Sequence, residues 1–303
     1  MGLPEMGLAA STHEVVLRRG AIALSIATLG GMTSRGAMME VDIDFLDQLA
    51  IDKHEIYESA APFPHIMIDN FVRPDILEGV LAEIESRAAP DGSVMNDPFQ
   101  KKWSCNRTRL MGPKTRALIQ FLNGQEITDF LTTLTGIKGL IPDPQLSGGG
   151  LHELRDTGFL KVHADFNYHK VLKLDRRINL LLYLNKDWDE SNGGELQLWD
   201  EGMTECAAKY LPIFNRCIIF STTEKSFHGN PNPVHLRDGQ KARRSIAFYY
   251  YTNGRPVEEV SDPHMTVFRH LPGQESAGDR ARSLGRRLLP PILADAITAI
   301  RGR

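Results

Sequence analysis

Arg243-Arg244-Ser245-Ile246-Ala247-Phe248-Tyr249 is the stretch on which the fold turns. A period of two sets Arg243, Ser245, Ala247 and Tyr249 on one face of a strand and Arg244 on the other, with Ile246 and Phe248 suited to packing between sheets. This strand closes a series of short strand-like runs: Phe159 to His163, Ile178 to Leu184, Glu195 to Trp199, Arg216 to Phe220 and Arg243 to Tyr251. Turn signals such as Asn192-Gly193-Gly194 and Pro231-Asn232-Pro233 separate them. No helical pattern intervenes, which argues for an antiparallel double-sheet barrel rather than alternating βαβ units.

Upstream, His65 to Asp69 reads as a short strand. Pro74 then opens a helix whose residues Ile76, Leu77, Val80, Leu81 and Ile84 follow the 3.6-residue period. Two further helices are predicted over Lys114 to Leu122 and Glu126 to Leu134, ended by Asn123-Gly124 and Gly136. The expected fold is therefore mainly β with α support: a double-stranded β-helix (jelly-roll) core braced on its outer face by N-terminal helices. Residues 1–40 read as a disordered leader, or as sequence upstream of a true start at Met38 or Met39. One domain is expected over 41–256, with helical support over 62–140 and the jelly roll over 145–256. Residues 257–303 read as a helical tail, with Ile292, Leu293, Ala296, Ile297 and Ile300 on one face.

The 303 residues are 42% hydrophobic and 24% charged, the make-up of a globular protein with a sizeable core, so disorder and collagen are excluded. A net charge of −3 provides no general field for nucleic acid, and a polyanion partner would need a local patch. Cys105, Cys206 and Cys217 are too few and too scattered for a disulfide framework, which favours a reducing compartment, the cytoplasm. The segment after Arg18-Arg19 is too short and too diluted by Ser25, Thr28 and Gly30 to span a bilayer. The tail helix is expected to dock on its own domain, membrane-surface contact being the minor alternative.

His163-Ala164-Asp165 ends the strand Phe159 to His163, so imidazole and carboxylate can point to the same side at its mouth. With a second histidine from a later strand they would form the 2-His-1-carboxylate facial triad of non-haem iron(II) oxygenases. His228, just past Arg216 to Phe220 and followed by a glycine where the backbone can turn away from the metal, fits better than His235, which sits mid-loop. A cosubstrate with a distal carboxylate needs a buried cation. Arg243 meets that need bidentately, and the small Ser245 and Ala247 leave room for the ligand. His152 is a candidate pocket-lining residue, and Phe166 to Arg177 a candidate substrate-facing lid.

In strand order, His163-x-Asp165, His228 and Arg243-x-Ser245 resemble the Fe(II)/2-oxoglutarate-dependent oxygenases, and within them the prolyl 4-hydroxylase-like group. Tyr183-Leu184-Asn185-Lys186-Asp187-Trp188-Asp189, followed by Gly193-Gly194-Glu195-Leu196, resembles the catalytic domains of the hypoxia-factor prolyl hydroxylases. The likeness covers about Pro62 to Pro256. The resemblance implies His163, Asp165 and His228 as catalytic iron ligands, and Arg243, Tyr183 and Ser245 around 2-oxoglutarate, with Tyr183 donating to its distal carboxylate. It implies Fe(II), 2-oxoglutarate and O2 as cofactors, with ascorbate as a candidate reductant, and hydroxylation of an unactivated C–H bond. Related halogenases carry a small residue where Asp165 stands, which favours hydroxylation here. The His228–Arg243 stretch is longer than in the hypoxia-factor enzymes, which leaves Arg244 as the alternative cation. The substrate would be a prolyl residue, an amino acid or another small molecule, with no nucleic acid. The competing class is a non-redox metal-binding barrel, a cupin-like isomerase or sugar-binding module.

Overall fold

The computed structural model describes residues 43–86 and 91–273. In chain order they form α1 (Ile43–Glu58), β1 (His65–Asp69), α2 (Pro74–Glu85), β2 (Ser93–Asp97), β3 (Gln100–Cys105), α3 (Pro113–Leu122), α4 (Gln125–Thr135), β4 (Ile141–Pro142) and β5 (Gly150–Leu154). There follow β6 (Phe159–Ala164), β7 (Tyr168–His169), β8 (Leu174–Tyr183), β9 (Leu196–Trp199), β10 (Cys206–Tyr210), β11 (Arg216–Ser221), β12 (His228–Asn230), β13 (Arg243–Thr252) and β14 (Val267–Phe268). The main path of the sheet is β1-β11-β8-β13-β5-β3-β6-β12-β9-β10, and every named pair is antiparallel. Strand β3 closes the barrel: its far half pairs with β5 through Trp103 to Cys105, while Gln100 and Lys101 pair with Leu160 and Phe159 of β6. This is the jelly roll with helical bracing expected from the strand spacing.

Alternation in the central strands decides what each face meets. Ile178, Leu180 and Leu182 of β8, Cys217 and Ile219 of β11, and Ile246, Phe248 and Tyr250 of β13 share one core with Leu118, Leu122, Ile127, Phe130 and Leu134 of the helices. Each fully buried side chain of this size contributes roughly 1.5–3 kcal/mol through removal from water. The other face of β8 and β13 lines the barrel interior. Ile246 and Phe248 thus pack on the helix layer rather than between sheets, because the sheet bearing β13 has helices behind it and the cavity in front.

Three differences from the sequence reading concern the flanks. Helix α1 precedes the expected support, and strands β2 and β3 lie within it; β3, with Gln100, Lys101 and Lys102, lacks the apolar alternation that marks a half-buried strand. Strands β5, β10 and β12 are short and rich in Gly, Ala or polar residues, so they left no strand signature. In the tail, 257–273 hold no α-helix, only a 3-10 turn at Val257–Glu259 and β14, which pairs with β6, the strand that carries His163. The tail helix ending near Ile300 and the leader 1–40 lie outside the described residues. Among the described residues no helix is long and apolar enough to cross a membrane.

One helix terminus is capped from another helix. The residue before α3 is Gly112, which offers no side-chain cap. Glu83 of α2 instead accepts from the Lys114 and Thr115 amides, each at 2.8 Å, and from the Thr115 hydroxyl at 3.0 Å. A carboxylate at a helix N-terminus satisfies orphan donors and complements the dipole. Glu83→Ala is expected to lower stability by about 1–2 kcal/mol in urea unfolding. An unchanged midpoint would show that this cross-helix cap contributes nothing.

Candidate metal centre

β6 delivers His163, and Asp165 follows one residue past its end; β12 delivers His228 directly opposite, His228 being the register partner of His163. Gly229 allows this approach: a Cβ there would stand 2.8 and 2.9 Å from the Lys161 and Leu160 carbonyl oxygens of β6. The glycine therefore serves close strand pairing, not the turn away from the metal that its position suggested. One ligand atom from each of His163, Asp165 and His228 lies within 4.8 Å of the others, the one such group of metal-ligating side chains among the described residues.

Both imidazoles are oriented alike. His163 Nδ1 is 2.8 Å from the Lys161 carbonyl oxygen and His228 Nδ1 is 2.9 Å from that of Ser226. A backbone carbonyl can only accept, so each Nδ1 carries the proton and each Nε2 turns a lone pair inward. These Nε2 atoms lie 3.5 and 3.3 Å from Asp165 Oδ1 and Oδ2 respectively. Burial pushes His163 below the ordinary imidazole value and the proximity of His228 adds to it, which keeps the ring neutral as a ligand requires.

Asp165 is held by residues the sequence reading did not assign. Arg176 Nη2 and Asn179 Nδ2 each donate to Asp165 Oδ2 at 2.8 Å, and Asn179 Oδ1 accepts from Arg176 Nε and Nη2 at 3.0 and 2.7 Å. The Arg176 guanidinium is buried against the Tyr249 and Phe166 rings, its Cζ 3.4 and 4.5 Å from their centroids. Burial alone would raise Asp165, but Arg176 and then His228 outweigh it and hold the carboxyl well below its ordinary value. The signal for Asn179 was present: a lone amide within Ile178 to Leu182, in step with Tyr183 by period two.

These groups line a cavity of about 530 Å³. Across its floor Tyr183 of β8, Ser245 of β13 and His152 of β5 form one register row. Arg243, two residues along, extends its guanidinium to 4.8 Å from the Tyr183 ring and donates from Nε to the Gly194 carbonyl at 2.9 Å. Gly194, at φ +68°, lets that backbone lie against the arginine; a Cβ would stand 2.9 Å from Val234 Cγ2. Among the described residues the buried Tyr183 hydroxyl, His152 Nε2 and Asn230 Nδ2 have no hydrogen-bond partner. Unpartnered polar atoms around a cavity beside three converging ligand atoms fit a metal with a polar chelating ligand.

Arg244 points the other way, its Nε 2.9 Å from Glu153 and Nη1 3.0 Å from Glu85. His235 is exposed and outside the cluster. Of the candidate lid, Phe166, Tyr168, Lys170 and Val171 stand on the cavity wall, as do Met265, Thr266 and Phe268 of the tail.

Residues 149–251 match the sequence model of the 2OG-Fe(II) oxygenase superfamily. That match covers about a third of the chain. The chain is also 26% identical over 197 residues to the mouse prolyl 3-hydroxylase OGFOD1, covering 63% of this chain and 33% of the relative. The chain thus spans about a third of that protein's length. Its fold is also that of a prolyl hydroxylase from Trichoplax adhaerens solved with a hypoxia-inducible-factor peptide, with a TM-score of 0.50 and 14% identity over 69% of this chain and 91% of that one. A Phytophthora capsici prolyl 4-hydroxylase structure aligns with a TM-score of 0.49 and 19% identity, over 83% of this chain and 77% of that one.

Arg176→Met would leave the Asp165 carboxylate buried and unpaired, at a cost of about 3–5 kcal/mol at neutral pH. Because Asp165 lies below its unfolded-state value in the native protein, the pair's contribution is present above the unfolded carboxylate range and is lost as pH falls through the lowered value. In the variant Asp165 would protonate in mild acid, so the stability gap should narrow as pH falls to about 5. Urea unfolding of the metal-free proteins reads both effects, and a gap independent of pH would contradict the assignment.

Proposed function

We propose that this protein is a dioxygenase that uses Fe(II), 2-oxoglutarate and O2 to hydroxylate an unactivated C–H bond of a prolyl residue, an amino acid or another small molecule. The observation that carries the reading is the convergence of His163, Asp165 and His228 on the same cavity that Arg243 and Tyr183 enter from the opposite strands. In this reading the triad ligates iron, and the oxygenase unit is 41–256, helical support and jelly roll, with 265–268 completing its cavity wall. Fe(II) and 2-oxoglutarate, when bound, supply the O2 activation and C–H cleavage that no side chain performs.

The chain's own residues bind, orient and exclude water. The carbonyls of Lys161 and Ser226 hold both imidazoles with Nε2 available. Arg176 and Asn179 tie down Asp165 Oδ2, which leaves Oδ1 the freer oxygen to ligate. Arg243 offers its guanidinium, and Tyr183 its unpartnered hydroxyl, to the distal carboxylate of 2-oxoglutarate, with Ser245 beside them. Burial raises the Tyr183 phenol above its ordinary value, against the pull of Arg243, so it stays protonated and able to donate. Leu160, Leu181 and Leu196 on the wall exclude water from the reacting carbon. The three free thiols accord with a cytoplasmic setting.

Arg243→Ala is expected to weaken 2-oxoglutarate binding at least about tenfold, with little change in Mn(II) affinity. Arg244→Ala should lower stability while leaving 2-oxoglutarate binding near wild type; equal weakening by both variants would reassign the cation. Anaerobic calorimetry measures these affinities.

Aerobic incubation with Fe(II), 2-oxoglutarate and ascorbate should yield slow succinate without added substrate, lost in the His163→Ala, His228→Ala double variant. A metal-binding barrel without oxygenase chemistry would bind metal, gain no thermal stability from 2-oxoglutarate and make no succinate.

A further inference from the structure

We infer that the substrate carries a carboxylate or similar anionic group, and that Lys102 is the residue that binds it. This deepens the oxygenase reading and rests on it. Lys102 lies on β3, where it and Gln100 share one face of the strand and line the cavity. Among the described residues its ammonium makes no hydrogen bond or ion pair, unlike Arg176 and Arg243, which are both engaged.

The charge balance of the cavity points the same way. Its wall carries four permanent cations, Lys102, Lys170, Arg176 and Arg243, against one acid, Asp165. Arg176 neutralises Asp165 at 2.8 Å. The two charges of Fe(II) would cancel those of the 2-oxoglutarate dianion, whose distal carboxylate takes Arg243. Of the two wall cations then left without a partner among the described residues, Lys170 is exposed and Lys102 is half-buried. This excess is local, since the whole chain is net −3.

Burial pushes the Lys102 ammonium below its ordinary value, while Asp165 and Asp97 pull it back up. A partly desolvated cation without a partner is costly, and an arriving carboxylate turns that cost into a charge-assisted hydrogen bond. His152 does not add to the excess: burial, with Lys102 and Arg243 nearby, pushes it down to about 3 and keeps it neutral. A neutral prolyl peptide would leave Lys102 unpaired. A free amino or imino acid, or a proline placed next to an acidic group, would not.

The test uses the full chain with Mn(II) and N-oxalylglycine, a non-reacting analogue of 2-oxoglutarate, at the centre. Paramagnetic relaxation of probe protons then reports binding near the metal for a matched pair, N-acetyl-L-proline and N-acetyl-L-prolinamide. The acid should bind at least about tenfold more tightly than the amide. Lys102→Met should abolish that preference and Lys102→Arg should keep it. Equal binding of acid and amide, binding of neither, or a preference that survives in Lys102→Met would overturn the inference. So would a Lys102→Met variant that loses N-oxalylglycine itself, because the lysine would then serve the cosubstrate. Failure of the oxygenase reading registers separately, as wild-type Mn(II) protein that does not bind N-oxalylglycine at all.

Discussion

The structure depends on one constraint: β8, β11 and β13 must satisfy two environments at once. One face of each is committed to the helix layer, where Leu180, Leu182, Ile219, Ile246 and Phe248 share a core with Leu118 and Phe130. That commitment fixes register, because a slip of one residue would drive this apolar set into the cavity and the polar set into the helices. The polar set is Asn179 and Tyr183 on β8 and Arg243 and Ser245 on β13, so helix packing aims the groups of the site. Without the helices behind them these strands would have no reason to hold a guanidinium and a phenol facing a cavity. The antiparallel pairing of β12 with β6 then sets His228 against His163, and the triad needs no further device than Gly229.

Buried charge follows the same division. On the cavity side Arg176 is paired with Asp165, and on the helix side Arg244 is paired with Glu153 and Glu85. Each arginine has a carboxylate within 3.0 Å because a buried cation without one is far more costly than the pair. Arg243 is the instructive exception. Its carbonyl partner at Gly194 satisfies one N–H and leaves its charge uncompensated, the condition of a group that waits for an anion. The adjacent Tyr183 hydroxyl, buried and unpartnered, is in the same state.

Much of this was legible in the sequence because alternation and turn residues report directly on strands that are long and half committed to a core. The five strand runs, the support helices from Pro74 onward, and the parity that separates Arg243 from Arg244 all follow from period and spacing. What could not be read depends on short or polar elements. β3 carries Gln100, Lys101 and Lys102 and has no apolar signature, yet it joins the two sheets of the barrel. β12 is three residues long and is a strand only because β6 and β9 flank it. Arg176 reads as one of several basic residues in a polar connection, and only the folded strand sets it beside Asp165.

That division has a functional counterpart. The segment matching the oxygenase superfamily, 149–251, contains the whole of the candidate triad, its Arg176 and Asn179 support, and the Tyr183–Arg243 pair. Lys102 and Gln100 come from before it, and Met265, Thr266 and Phe268 from after it, yet all five stand on the cavity wall. Phe268 stacks on Phe99 at 4.7 Å between centroids and lies 5.5 Å from the His163 ring, so both flanks meet at β6. β14 is held there by pairing Val267 and Phe268 with Ala164 and His163, and by Asn167, which donates to Ser261 and to the Asp262 carbonyl. Asn179, Tyr183, Arg243 and Ser245 sit on strands whose register the helices enforce. The walls nearest an incoming substrate come from segments under no such constraint, which are free to differ between proteins that share the same iron chemistry.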